Sequence, residues 1–507
     1  MARVCKAFSS SAIDVLWRNL DDFEDLLHVF PFYQDWGDRT VSEIPPHMWE
    51  RFQMYARRVR GLRWTFLPSL SVTHRMVWTL LEYRSGGQPL LPRLQTLTLL
   101  NIDPQFVQPL VLLLTPSLRT FVLSFGDSEA TGWDEVAPMA TRSSRRIPAI
   151  ADLLLRITGD TRLSLLTNLR IDHGGLPEDF PPSHFASLAQ LSGLKTLDLL
   201  YSGVAIDTAT LQLLSNIPSI RSLDLEISLD EITFRGPLQP GGAELNKLHL
   251  CGSIGDLRRF FDAATLPNVV DLALSVTSLP NIGALQDAFD LICSKVSRSV
   301  HELTLFVNPV IPSPAVSLLD ILRPSLSFRD MNTLNVEFDE YFLLIDDQDA
   351  LAFASAWPLL TSFSYHSYAD IPKNLPTQTT VAGLLTFAQR CPELCGLDLP
   401  LLDVRAPLPP PLSIPAVGQK FMRHLQIPEY IGGDTTDLVN LALILDRLFP
   451  HFECGRPPAM QAKVVPFVLD CEARHRPVRM TDLLVEAMQA QRRLLEDDGS
   501  RPAAISE

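Results

Sequence analysis

The chain of 507 residues carries 58 acidic and 43 basic side chains, for a formal net charge of −15, and its hydrophobic fraction of 46% is that of a well-packed protein rather than a disordered one. The acidic balance argues against nucleic acid as a partner, because such proteins carry a basic stripe, and it favours a basic or neutral protein partner. Seven scattered cysteines read as buried thiols of a reducing compartment, no apolar run approaches the ~18–20 residues of a membrane span, and the N-terminus lacks a signal-peptide core, so a cytoplasmic or nuclear protein without membrane association is expected.

Residues 1–30 read as two helical pieces, with Ile13, Leu16, Trp17 and Leu20 at near-helical spacing and Ser9–Ser11 placed to cap the second piece. Residues 31–58 read as a helical connector. From residue 59 to about 455 one phrase recurs, apolar-x-x-apolar-x-apolar, most plainly in Leu194-Lys-Thr-Leu-Asp-Leu199. Its first position falls at Val59, Leu94, Leu118, Leu166, Leu194, Ile220, Leu245, Val269, Val300, Met331, Leu360, Leu394 and Met422. The spacings run from 24 to 35 residues, apart from one gap of 48 that holds a polar insertion at about 126–147.

Two regularities accompany the phrase. Proline stands two residues before it at Pro92, Pro116, Pro218, Pro267, Pro358 and Pro392, where it ends the preceding helix and favours an extended approach to a strand. Three residues after it, consecutive repeats carry Ser202, Ser228, Ser253, Thr277, Asn308 and Asp339, small polar side chains suited to satisfying backbone groups as the chain leaves the strand. Between strands, Ile206–Ile217, Leu257–Ala264 and Leu285–Val296 show helical periodicity.

The pattern resembles a leucine-rich repeat, which implies an α/β solenoid: a curved parallel sheet with helices on the convex face. Leu438–Phe449 reads as a helix leading to Pro450, the helix-then-proline phrase of the inner repeats, and Thr481–Leu495 as a capping helix, with residues 456–496 as a C-terminal cap and 497–507 as a disordered tail. At the other end, Val4-Cys5-Lys6-Ala7-Phe8 followed by Leu16-Trp17-Arg18 resembles the last helix of the F-box, here truncated or degenerate because the Leu-Pro-x-Glu opening of that motif is missing. The order of modules resembles the fungal class of F-box and leucine-rich-repeat proteins. The resemblance implies that Val4, Cys5, Phe8, Leu16 and Trp17 contact a Skp-type adaptor of a cullin ubiquitin ligase, while the repeats hold a protein substrate.

Alternation along the strands places a grid of side chains on the open face: Arg170, Asp172, Asp198, Leu200, Asp224, Glu226, Lys247, His249, Asp271, Glu302, Phe306 and Glu337, with Asn335, His366 and Asp398 further on. These charges either keep the sheet soluble or form a site for a basic or mixed protein segment. Reversing Asp198, Asp224 and Glu226 is expected to weaken partner binding with little thermal cost.

No phosphate loop, dinucleotide fingerprint, zincin motif or nucleophile elbow occurs, so neither an enzyme nor a cofactor is indicated. Histidines 173, 249, 301, 366 and 424 lie on different repeats and are expected to stand too far apart to share one ligand sphere. The acidic run Glu337–Asp349 lacks the pattern of an EF-hand and reads as a solvated edge. The reading that remains is a substrate receptor. Its rivals are a plain binding scaffold or inhibitor, and an enzyme regulator that would need a basic or polar cluster at one rim.

Overall fold

A computed structural model describes residues 6–30, 43–65, 71–102, 110–125, 139–159, 163–172, 176, 180–230, 238, 240, 244–308, 316–339, 341–369, 375–376, 378–415, 421–432, 435–450 and 453–454. The side chains of 6–10, 71–76, 139–146, 435, 438 and 453–454 lie outside that description. So do Val4 and Cys5, the first part of the polar insertion, the C-terminal cap and the tail.

The chain divides into two units, Met1–Gly252 with Arg259–Asn268, and Ser253–Arg258 with Val269–Glu507. The first contains strands β1 (Asn19–Leu20), β2 (Gly61–Thr65), β3 (Thr96–Ile102), β4 (Thr120–Phe125), β5 (Asn168–Asp172), β6 (Thr196–Asp198), β7 (Ser222–Glu226) and β8 (Lys247–Ser253). Each is parallel to its sequence neighbours. The second contains β9 (Asp271–Ser278), β10 (Glu302–Val307), β11 (Thr333–Phe338), β12 (Ser362–Ser367), β13 (Gly396–Asp398), β14 (Leu401–Asp403), β15 (His424–Gln426), β16 (Glu429–Ile431) and β17 (Glu453–Cys454). Its sheet runs β9 to β13 in order and continues through β15 and β17, while β14 and β16 form a separate parallel pair. Both units are leucine-rich-repeat arrays in which each repeat gives one strand to the main sheet, and two repeats of the second unit add the separate β14–β16 pair.

The register matches the repeated phrase residue for residue. Leu62, Leu97, Phe121, Leu169, Leu197, Leu223 and Leu248 stand side by side across the first sheet, as do Leu272, Leu303, Leu334, Phe363, Leu397 and Leu425 in the second. No first-position residue of the phrase is more than 2% exposed, so this edge of every repeat is core. Helices close the core from the other side: Phe353 and Phe387 flank Phe363 with ring centroids at 5.6 and 5.0 Å. Burying one such side chain stabilises by roughly 1.5–3 kcal/mol.

The repeated proline does more than end a helix. In Trp357-Pro358-Leu359-Leu360 the Leu360 N–H donates to the Trp357 carbonyl at 3.1 Å, and Leu94, Leu118 and Leu394 donate likewise three residues back, at 3.0, 3.1 and 3.1 Å. Proline therefore occupies the second position of a β-turn, where its fixed φ is already correct. The polar position after the strand is less uniform than expected. Ser202 accepts from the Val204 N–H and Ser253 from the Asp256 N–H, whereas Ser228 and Thr277 are exposed. The ladder is local because helix starts are capped by other residues: Asp207, Asn281, Ser317, Asp346 and Thr380.

The acidic run before the helix Asp347–Ala356 is structural rather than a solvated edge. Asp346 and Asp349 form a capping box, and Asp349 also accepts from Ser317 Oγ at 2.8 Å. Asp347 reaches to the next repeat, accepting from the N–H groups of Thr380 and Gly383 at 2.8 and 2.9 Å and from Thr380 Oγ1 at 2.7 Å. A carboxylate there suits the positive end of the helix Val381–Arg390. Gly383 is needed for this approach, since a Cβ would lie 2.7 Å from Asp347 Oδ1 and 2.6 Å from Thr379 Cγ2.

The N-terminal boundary differs from expectation. One helix, Lys6–Leu16, runs through Ser9–Ser11, so the serines lie within a helix rather than at the start of a second one. Asn19–Leu20 already pairs with β2, and Phe23, fully buried, stacks on Trp78 at 5.1 Å and tilts against Trp64 at 5.3 Å. The repeat array thus begins forty residues before the first full phrase at Val59, with a strand too short to show the pattern. The latter part of the polar insertion is also ordered, as the start of a helix spanning Met139–Gly159.

Candidate functional site

A strand turns alternate side chains away from the core, and the shared register lines these outward residues up in rows. In the first unit one row reads Arg63, Thr98, Val122, Arg170, Asp198, Asp224 and His249. Arg170 is hydrogen-bonded through Nε to Asp172, its Nε lies 3.5 Å from Asp198 Oδ2, and its guanidinium carbon is 6.0 Å from the Tyr201 ring centroid. Burial raises the Asp198 carboxyl pKa and the Arg170 charge opposes that shift. Asp224 accepts from Ser222 Oγ at 3.0 Å and sits 3.7 Å from His249 Nδ1. Burial, then the Lys247 ammonium, push the His249 pKa down to about 4, so this contact is with a neutral imidazole.

The face is therefore not a field of freely solvated acids. Asp172 and Asp198 share an arginine, and the carboxylates of Asp198 and Asp224 are only 17% and 13% exposed. Reversing either one breaks hydrogen bonds as well as changing charge, so a stability cost is expected at Asp198 and Asp224 beside any loss of binding. Leu200 leaves the face altogether. It is 8% exposed, because β6 ends at Asp198 and the chain turns there, the Leu200 N–H donating to Asp198 Oδ1 at 3.2 Å. Glu226 and the exposed Lys247 remain on the rim of this grid.

In the second unit Asp271 pairs with the exposed Glu302, and Phe306, Glu337 and His366 occupy one row. Burial first and Asp339 second push the Glu337 pKa up to about 7, against a hydrogen bond with Tyr368 that favours the ionised form. A carboxyl whose folded pKa exceeds its unfolded value costs stability as pH rises from the ordinary carboxylate range through about 7, and costs nothing once both states are protonated. Glu337→Gln should therefore be the more stable protein near pH ~8, by up to about 3 kcal/mol, with the difference gone only below pH ~4, where both states are protonated. Denaturant unfolding across that range reads the effect; a pH-independent difference would place Glu337 in solvent.

Beyond Glu337 the rows bring together side chains that lie far apart in the sequence. Ser364 Oγ donates to Asp398 Oδ2 at 3.1 Å and lies 2.7 Å from His366 Nε2. Since the single hydroxyl proton is used on the carboxylate, His366 Nε2 is the donor in that contact, a tautomer assigned from the network. His424 Nε2 approaches Asp398 Oδ1 at 2.9 Å, and His366 Nε2 lies 3.7 Å from Asp398 Oδ2. Ser364, Asp398 and His424 are each at most 5% exposed. Two of the histidines, expected to stand too far apart to share one ligand sphere, thus flank one carboxylate. Aligning the repeats reveals this, because Ser364 pairs with Asp398 and Gly396 with His424.

Of the N-terminal residues expected to contact an adaptor, Val4 and Cys5 lie outside the described residues and Phe8 is described in backbone only. Leu16 is 65% exposed beside Val15 at 72%, while Trp17 turns inward onto Tyr55, with centroids 4.4 Å apart. Cys391 is buried against the Trp357 carbonyl and Cys395 is exposed, so the two thiols face different surroundings. Among the described residues no helix is long and apolar enough to cross a membrane.

No family model matches the sequence and no curated protein matches it. Among solved structures it is similar to an internalin (InlF) of Listeria monocytogenes, at 13% identity over 73% of this chain and 82% of that one, with a TM-score of 0.32. It is also similar to the leucine-rich-repeat protein LegL7 of Legionella pneumophila, at 16% identity over 54% and 90% of the two chains, TM-score 0.26. A TDR receptor aligns at 14% identity over 79% of this chain and 60% of its own, TM-score 0.26. At such scores the fold rests on the strand register itself.

Proposed function

We propose that this protein is a non-enzymatic recognition subunit that holds a target protein on the outward strand face of its repeats. The observation that carries the reading is the pre-set geometry of the Arg170–Asp172–Asp198–Tyr201 group beside Asp224 and His249. Side chains already fixed by one another lose little entropy on binding, and partner selection then follows from complementary charge. The rim acids suit a basic or mixed segment.

The finer reading is a substrate receptor of a cullin ubiquitin ligase, with the Lys6–Leu16 helix docking a Skp-type adaptor and a cytoplasmic or nuclear location to match. Exposed Val15 and Leu16 support it, since adjacent large apolar side chains at a surface mark contact sites more often than isolated ones do. Affinity capture from a lysate separates the two halves. Leu16→Asp should lose the adaptor and keep the target; Glu226→Lys should weaken the target by about tenfold and keep the adaptor. Recovery of a target but of no Skp-type adaptor would leave a plain binding scaffold, and loss of neither partner on Glu226→Lys would move the target off this face.

A further inference from the structure

Between the helices Lys6–Leu16 and Pro46–Ala56 the first unit has an open groove of about 570 Å³, lined in part by Met54, Arg57, Arg93 and Glu50 and by the Arg58–Asp14 ion pair. Met54 is 45% exposed, and Val15 and Leu16 adjoin Asp14 on the neighbouring helix. Arg57 and Arg93 are exposed and have no ion-pair partner among the described residues. Unpaired arginines in a chain of net charge −15 contrast with the outward strand face, where Arg170 is shared between two aspartates.

We infer that this groove is a second docking surface, for an acidic protein segment that sets an apolar side chain on Met54 and carboxylates on Arg57 and Arg93. Arginine and methionine are enriched at interface centres, methionine because its flexible thioether adapts to the side chain it meets, arginine because its fork pairs two-to-two with a carboxylate. Glu50 and Asp14 stand in the same groove. Their charge disfavours a compact dianion such as phosphate and leaves room for carboxylates spaced along a segment, each meeting one arginine. The groove borders the helix Lys6–Leu16 used in the ligase reading, but the inference needs no particular adaptor, since its test reads Arg57 and Arg93 rather than Leu16.

The test is fluorescence anisotropy of the full-length protein with a fluorescein-labelled peptide of leucines and glutamates at helical spacing. Saturable binding is expected, about tenfold weaker for Arg57→Glu and for Arg93→Glu, and about tenfold weaker for a control peptide with glutamine in place of glutamate. Unchanged affinity in both reversals overturns the inference. So does equal binding of the glutamine peptide, or full displacement by inorganic phosphate, which would make the groove a simple anion site. An unchanged melting temperature shows that the variants fold; should one not, Arg57→Ala and Arg93→Ala make the same comparison.

Discussion

Replacing Asp398 with alanine should destabilise the protein by about 1–3 kcal/mol, as expected when a buried acceptor is removed and the polar groups around it are left unsatisfied. The Asp398 and His424 side chains are 5% and 6% exposed and meet at 2.9 Å, so the vacated site is poorly open to replacement water. Ser364 Oγ loses its acceptor in the same step, and the His366 contact routed through that hydroxyl loses its direction. Asp398→Asn should fall between, because the amide keeps one acceptor oxygen but turns a donor toward one neighbour. Ser364→Ala should cost only about 1 kcal/mol, the net worth of an ordinary hydrogen bond. Denaturant unfolding measures all three. A loss below about 1 kcal/mol for Asp398→Ala would show that the network does not hold this end of the sheet together.

How far the sequence could be read depended on whether the signal was periodic. The strand register follows from Leu194, Leu197 and Leu199 and their counterparts, because every repeat must bury the same edge against its neighbours. Asn19–Leu20 escaped that reading, since two residues carry no period. Leu200 escaped for a related reason: alternation is a property of a strand, and the strand stops at Asp198. The candidate site was legible in position but not in electrostatics. Sequence spacing shows that Arg170 and Asp198 share a face, while their pairing depends on the folded approach of Arg170 Nε to within 3.5 Å of Asp198 Oδ2. Separation along the chain hides that His366 and His424 lie on the two strands flanking β13, because neighbouring strands are about 4.8 Å apart however long the connecting loop is. Arg57 and Arg93 belong to different segments and line one groove only in the folded chain, so the basic run at residues 57–63 did not by itself point to that groove.

Leu223→Ala should cost about 2–5 kcal/mol, the range found when a buried leucine is truncated and its surroundings relax only in part. Leu223 is 1% exposed and stands in register between Leu197 and Leu248, both fully buried. The cavity therefore opens toward β6 and β8 together. In an array whose repeats contact chiefly their neighbours, the lost free energy belongs to the two interfaces of that repeat, so hydrogen-exchange protection should drop first in β6, β7 and β8. Leu213→Ala is the matched control. The same side chain is 46% exposed on the helix Thr208–Leu214, and its truncation should stay within about 0.5 kcal/mol. If Leu223→Ala behaved like Leu213→Ala, the motif leucines would not be the core and the register would be displaced by one residue. A shift of that size would turn Asp224 inward and Leu223 outward. The stability of this one variant thus also tests which side chains face a partner.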